Sequence, residues 1–329
     1  MSLPVASLRQ LSRMRPTNTR LTALASHLQT TSPKSSPFSS TRPRNLSSTP
    51  LRSANMKAVI IEKTGGPEVL KYTTEAAAPS PKDGEVLIQN HIAGINYIDT
   101  YFRTGLYPSA SGYPMILGQE ASGVVAGLGE GGDKHGLKEG DRVVWIKQGG
   151  YAEYTTVNAD KVVKIPDGIS DEDAVGGFLM GMTALSLVQE SYPVKKGDWV
   201  LVHAAAGGVG LLMCQILRSM GARLIGTAGG PEKCALAKEN GAEFMIDYKK
   251  TDGPGWLEQV KEITKGEGVA VVYDSVGKDT WEQSLQAIRR KGKVSILFHP
   301  PHSRQSTNKF RWCTSVPHPA PCHLSPLQS

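Results

Sequence analysis

A pyrophosphate can sit on the unpaired N–H groups at a helix N-terminus only if no side chain blocks its approach. The run Val200-Leu201-Val202-His203-Ala204-Ala205-Ala206-Gly207-Gly208-Val209-Gly210 has residue types suited to that chemistry. An apolar strand feeds a turn of small residues, and an apolar helix follows from Leu211 to Leu217. Ala205, Gly207 and Gly210 hold the three positions that need small residues, with Gly208 and Val209 between them. Alanine in the first position departs from a strict G-x-G-x-x-G, so the strand–turn–helix context carries the assignment to a dinucleotide-binding turn.

The next strand, Arg223 to Thr227, sharpens the choice of dinucleotide. An NAD site of this kind places an acid at that strand's end to bind the ribose 2′-hydroxyl. None is there. Thr227-Ala228-Gly229-Gly230 leads instead to Lys233, where a 2′-phosphate would need a cation and small hydrogen-bonding groups. NADP is therefore favoured over NAD. Against this, Lys233 could be an ordinary solvated helix lysine, and Glu232 beside it weakens the charge argument.

These residues need elements to position them. Beyond about Asp171 strands and helices alternate, with strands at Trp199–His203, Arg223–Thr227, Glu243–Ile246, Val269–Tyr273 and Lys293–Phe298. Such alternation specifies a parallel sheet with right-handed crossovers and a cofactor at the carboxyl ends of its strands. From Met56 to that point the pattern is different: short strands at Lys57–Ile61, Glu85–Gln89, Gly123–Ala126 and Arg142–Trp145, separated by Gly, Pro and Asp turns. That is a β-rich lobe of partly closed sheet, expected to supply the substrate side of a cleft.

Composition divides the 329 residues further. Residues 1–55 hold seven Arg and Lys34 but no acid, so this segment accounts for the net charge of +7; the rest has 29 basic against 30 acidic residues. With its Ser and Thr and short apolar patches, it has the composition of a disordered mitochondrial presequence; Met56 as an alternative start would give a cytosolic product. A long secretory h-region is absent, and no later stretch reaches the ~18 apolar residues of a membrane span. After Phe298 the chain becomes aperiodic, with four of the eight histidines, many prolines and no acid, the composition of a disordered tail. Of the four cysteines none forms a C-x-x-C pair, and Cys313, His318, Cys322 and His323 match no recurrent zinc finger.

The order of parts resembles a known family. Gly94-Ile95-Asn96-Tyr97-Ile98-Asp99-Thr100-Tyr101-Phe102-Arg103-Thr104-Gly105-Leu106-Tyr107-Pro108, then His203 to Gly210, then Val272-Tyr273-Asp274-Ser275-Val276-Gly277, is similar to the quinone oxidoreductases of the zeta-crystallin type. These belong to the zinc-free branch of the medium-chain dehydrogenase/reductase superfamily. The resemblance implies an α/β fold with a GroES-like partly closed β-barrel lobe at 56–175. It also implies a Rossmann doubly wound parallel sheet at 176–298, incomplete at its C-terminal end, and leaves a non-homologous tail at 299–329. It implies NADPH-dependent reduction of quinones, with Asn96, Asp99, Tyr101 and Tyr107 as candidate catalytic groups and Arg103 nearby. Candidate NADP(H) contacts are Asn96, Thr183, Ala205 and Gly207 to Gly210, together with Thr227, Gly229, Lys233, Tyr248 and Val276. Read without the resemblance, Tyr101 is equally a half-buried core tyrosine, Asp99 a helix cap and Asn96 a turn residue. Where zinc-dependent relatives carry Gly-His-Glu this chain has Gly118-Gln119-Glu120, and an amide is a poor zinc ligand, so no metal is expected.

One departure and two rivals remain. His299-Pro300-Pro301 stands where the family continues with a Gly-Asn turn and a pairing strand, so the homologous ending looks replaced and the family's homodimer is in doubt. A 2-alkenal or enoyl reductase would share the fold and NADPH. An AU-rich RNA-binding or structural, crystallin-like role is the rival from another class. Residues 56–298 carry 26 basic against 30 acidic residues, which lends the RNA reading no electrostatic support. Lys249-Lys250 and Arg289-Arg290-Lys291 read as solvated helix ends.

Overall fold

The computed structural model describes residues 55–109, 112–250 and 252–297. The expected presequence, apart from Asn55, the end of the last expected strand at Phe298 and the expected tail lie outside the described residues. The chain divides into two compact units between Val175 and Gly176.

The first unit is antiparallel sheet. β1 (Asn55–Ile61), β2 (Lys71–Ala77), β3 (Glu85–Ala93), β4 (Met115–Ile116), β5 (Glu120–Leu128), β6 (Arg142–Ile146), β7 (Tyr154–Asn158) and β8 (Val162–Lys164) form sheets ordered β2-β1-β4 and β7-β3-β5-β6-β8. Alternation along β3 and β6 sends Val86, Ile88, Val143 and Trp145 into one core with Val125 and Val157. Each fully buried side chain of that size contributes roughly 1.5–3 kcal/mol. Trp145 satisfies its indole N–H on Asn90 Oδ1 (3.0 Å). The segment before β7 curls the layers together: Val59 N–H donates to Tyr151 O and Glu153 N–H to Lys57 O. A Cβ at Gly123 would lie 2.0 Å from the Gln89 carbonyl oxygen, so glycine alone permits the tight β3–β5 approach. The expected strand at Gly123–Ala126 is the middle of the longer β5, and β2, β4, β7 and β8 carry too weak an alternation to be read from sequence. The one helix of eight residues or more wholly within this unit's described residues is α1 (Tyr97–Thr104).

The second unit is the expected parallel sheet. α2 (Asp171–Ser186) leads into β9 (Trp199–Val202), α3 (Gly208–Ser219), β10 (Arg223–Ala228), α4 (Pro231–Glu239), β11 (Phe244–Asp247), α5 (Trp256–Ile263), β12 (Val269–Asp274), α6 (Trp281–Ala287) and β13 (Ile288–Ile296). Strand order is β11-β10-β9-β12-β13, and every neighbouring pair is parallel. The chain moves outward from β9 to β11, returns to β12 on β9's other side and moves outward again. With right-handed crossovers this puts α3 and α4 on one face, α5 and α6 on the other. The switch point lies between β9 and β12, where open α/β sheets place their ligands. All six residues of β12 are buried, as a strand covered on both faces must be.

Two expectations about basic runs are corrected here. Arg289-Arg290-Lys291 is not a helix end but part of β13. Val269 pairs with Ile288 and Val271 with Lys293, so four residues of β13 bulge opposite one of β12, and Lys291 takes a φ of 63°. The bulge frees Arg289 to bind Asp198 Oδ1 at 3.1 Å. Lys249 and Lys250 sit in the turn after β11 rather than on a helix.

Candidate functional site

The turn between β9 and α3 has the geometry its residue types foretold. Ala204 takes a φ of 52°, and Gly207 N–H closes the turn on Ala204 O at 2.9 Å. Gly207 is the N-cap of α3 and brings no side chain to it. The first intrahelical bond is Leu211 N–H to Gly207 O (2.8 Å). The N–H groups of Gly208, Val209 and Gly210 therefore have no partner within the helix. Three such donors at the positive end of a 12-residue helix suit an anion. Gly210 has a different task. A Cβ there would lie 2.5 Å from Ala204 O and 2.7 Å from Ala205 O, so it lets the helix start directly against the turn. Gly208 faces Met180 of α2, whose sulfur would be 2.2 Å from a Cβ.

The turn after β10 holds the second set. Gly229 lies against Tyr248 and Lys249: a Cβ on it would approach the Tyr248 hydroxyl to 2.7 Å and Lys249 Cε to 3.1 Å. Asp247 Oδ1 accepts from Gly230 N–H (2.8 Å) and Lys249 N–H (3.0 Å), fixing both around one carboxylate. Those two backbone bonds hold the Asp247 carboxyl below its ordinary range. Tyr248 is exposed, and Lys233 is exposed in the first turn of α4. The structure thus gathers Gly229, Lys233 and Tyr248 near one turn and adds Lys249, which the sequence offered only as part of an ordinary basic pair.

Thr227 is the exception. It is buried, and its hydroxyl lies 2.9 Å from His203 Nδ1, so its side chain faces the protein interior and not a ligand. Thr183 similarly spends its hydroxyl on Leu179 O (2.8 Å) within α2. Val276 exposes its side chain while its N–H binds Asp274 Oδ1 at 3.0 Å.

In the first unit the candidate catalytic groups fall into two classes. Asn96 is the N-cap of α1. The Asp99 carboxylate reaches back to accept its N–H at 2.8 Å, the reverse arm of a capping box. The Asn96 amide donates to Glu120 Oε1 (2.8 Å), and the Tyr151 hydroxyl donates to Asp99 Oδ2 (2.7 Å). Burial raises the Asp99 carboxyl above its ordinary range, against the opposing pull of the Asn96, Tyr151 and Gly118 donors. Burial, followed by the Asp99 carboxylate, likewise raises the Tyr151 hydroxyl. Asn96 and Asp99 are therefore anchors: the helix-cap alternative describes Asp99, and Asn96 does more than turn the chain. Tyr101 and Tyr107 form the other class. Their rings meet at a tilt of 59° with centroids 5.4 Å apart, Tyr97 meets Tyr101 edge-on at 5.5 Å, and Phe102 meets Tyr107 edge-on at 5.7 Å. Burial also raises the Tyr101 hydroxyl. Tyr97 and Tyr107 are exposed, so this cluster brings aromatic faces and edges to the surface. Glu120 and Tyr151 carry no sequence signal of this anchoring role. The N-x-x-D spacing at 96 and 99 signals the box, but a partner 52 residues away leaves no local mark.

Comparison with known proteins matches the two units separately. Residues 82–167 match the "Alcohol dehydrogenase GroES-like domain" family and residues 208–310 the "Zinc-binding dehydrogenase" family. A quinone oxidoreductase of Salmonella typhimurium is 47% identical over 232 residues, covering 70% of this chain and 69% of its own. The crystal structure of Escherichia coli quinone oxidoreductase complexed with NADPH superposes with a TM-score of 0.68 at 44% identity, covering 72% of each chain. A 2-haloacrylate reductase from Burkholderia is 38% identical over 246 residues, covering 74% of this chain and 73% of its own. The zinc of the family description does not fit the donors present. Among the described residues no three of His, Cys, Asp and Glu gather as ligands. Gln119 presents an amide whose Nε2 is buried without a partner, and Glu120 is engaged by Asn96. With the glycine turn before α3, an aromatic helix capped as described and identity of this extent, the chain belongs to the quinone oxidoreductase family, in the zinc-free branch of the medium-chain dehydrogenases and reductases.

Proposed function

We propose that the protein reduces quinones with NADPH. The observation that carries the cofactor choice is the turn after β10: no acid ends that strand, and Gly229 is flanked by Tyr248 and Lys249, with Lys233 on the following helix. A 2′-phosphate gains from those cations, whereas the carboxylate at that turn, Asp247, already has Oδ1 engaged by the Gly230 and Lys249 N–H groups and does not stand at the end of β10, where an acid would take a 2′-hydroxyl. The N–H groups of Gly208, Val209 and Gly210 would hold the pyrophosphate, and bound NADPH would supply the hydride. Tyr101 and Tyr107 would present their rings and hydroxyls to a flat substrate, while Asn96 and Asp99 keep α1 in place. A quinone accepts electrons readily, so orientation rather than strong acid catalysis is what these groups need to provide.

The test is turnover by the full chain of NADPH and NADH with phenanthrenequinone and with an α,β-unsaturated aldehyde. NADPH-selective turnover of the quinone is the expected result. Preference for the aldehyde would favour an enoyl-type reductase instead, a reading supported by the 38% identity to 2-haloacrylate reductase. The composition of residues 1–55 supports mitochondrial import, to be checked by the location of a fluorescent fusion with and without that segment.

A further inference from the structure

His203 is a buried polar group of the second unit that no step above uses. Its ring is buried, with Nδ1 2.9 Å from Thr227 Oγ1 and Nε2 3.1 Å from Ser284 Oγ. Ser284 in turn donates to Asp274 Oδ2 (2.9 Å), and a carboxylate can only accept. The Ser284 hydroxyl proton is thereby spent, so Ser284 Oγ accepts from His203 and Nε2 carries the hydrogen. A neutral imidazole then accepts at Nδ1, and Thr227 donates to it. Burial keeps the ring neutral by lowering its pKa to about 4. The Trp256 ring meets it edge-on at 4.7 Å.

Each arm of this network ends on a segment that would touch the cofactor. His203 itself precedes Ala204 and the pyrophosphate turn. Thr227 opens the Gly229-Gly230 turn, and its carbonyl also accepts from Ala205 N–H at 3.0 Å, so the two turns are tied by both backbone and side chain. Asp274 ends β12, where its Oδ1 holds the N–H groups of Val276 and Gly277 at 3.0 and 2.9 Å. The three strands concerned are the central three of the sheet and include both flanking the switch point.

We infer that His203 is a positioning residue for NADPH, locking the ends of β9, β10 and β12 together so that the pyrophosphate and 2′-phosphate turns are presented as one rigid surface. The inference rests on the NADPH reading. A neutral donor–acceptor side chain is what the position demands, because an apolar residue leaves the buried Thr227 hydroxyl without its acceptor.

Calorimetric titration of the full chain with NADPH and with 2′,5′-ADP, alongside steady-state turnover and thermal melting, tests it. His203→Leu is expected to weaken both ligands about tenfold, while kcat at saturating NADPH stays within about twofold. His203→Gln, which retains a donor and an acceptor, should recover all but about threefold of the affinity. If His203→Leu does not fold, Thr227→Val removes only the hydroxyl and should weaken both ligands about threefold or more. A folded variant of either kind with wild-type affinity for both ligands would overturn the inference and leave the NADPH reading intact. A fall in kcat that follows the melting curve at unchanged KM would overturn it in favour of a purely structural role. Wild-type protein that binds neither ligand would sink the NADPH reading, leaving His203 no cofactor to position.

Discussion

The glycine turn before α3 and the aromatic helix α1, the two regions proposed to hold ligands, are built in opposite ways. The turn uses backbone: its donors are N–H groups, and its shape is set by the absence of side chains at Gly207 and Gly210. The helix uses side chains. α1 is fixed at its N-terminal end by Asn96, Asp99, Glu120 and Tyr151, and presents Tyr101 and Tyr107 along its length and just beyond it. A backbone site tolerates no added atom yet asks little of its neighbours' identity. A side-chain site tolerates trimming at its surface but depends on partners brought from distant strands.

Acidification gives the largest expected contrast between the two regions. His203 behind the turn has a folded pKa of about 4 against its ordinary 6.5. The unfolded chain therefore binds the proton more readily, and this stabilisation is complete above pH 6.5 and lost as pH falls towards 4. The loss is about 3 kcal/mol, to be read from denaturant midpoints across that window and expected to vanish in His203→Gln. Next, Gly210→Ala should cost about 1–3 kcal/mol of stability by driving a methyl into two carbonyl oxygens, and should weaken NADPH binding in calorimetry. Equal NADPH affinity in that variant would break the claim that the turn is built by exclusion.

For the helix, Tyr151→Phe removes one donor from Asp99 and should lower stability by about 1 kcal/mol in thermal melts, with quinone KM rising more than NADPH KM. A change confined to NADPH KM would show that the helix anchors serve the cofactor and not the substrate surface. The smallest effect expected is from Lys249→Ala. It should reduce the preference for NADPH over NADH by about threefold, near 0.7 kcal/mol, without moving the melting temperature.

Much of the second unit was legible because its signals are local. The alternation of strand and helix, the small residues from Ala205 to Gly210 and the missing acid after Arg223–Thr227 all depend on near neighbours in the chain. The β13 boundary was misread because its first residues form a bulge, and the Arg289-Arg290-Lys291 run resembles a polar helix end. In the first unit the strands β2, β4, β7 and β8 owe their existence to pairing partners and not to their own pattern.

By itself, the sequence determined the glycine turn, the parallel sheet that carries it and the lack of an acid at the end of β10, since backbone conformation and glycine sterics are properties of consecutive residues. Tertiary structure decided which polar side chains face inward. It turned Thr227 from a ligand contact into the partner of His203, made Asn96 and Asp99 anchors through Glu120 and Tyr151, and brought Lys249 beside Gly229. The physical reason is range: a hydrogen bond between residues 24 or 52 positions apart is written in no local pattern, because only the packed fold brings its donor and acceptor within reach.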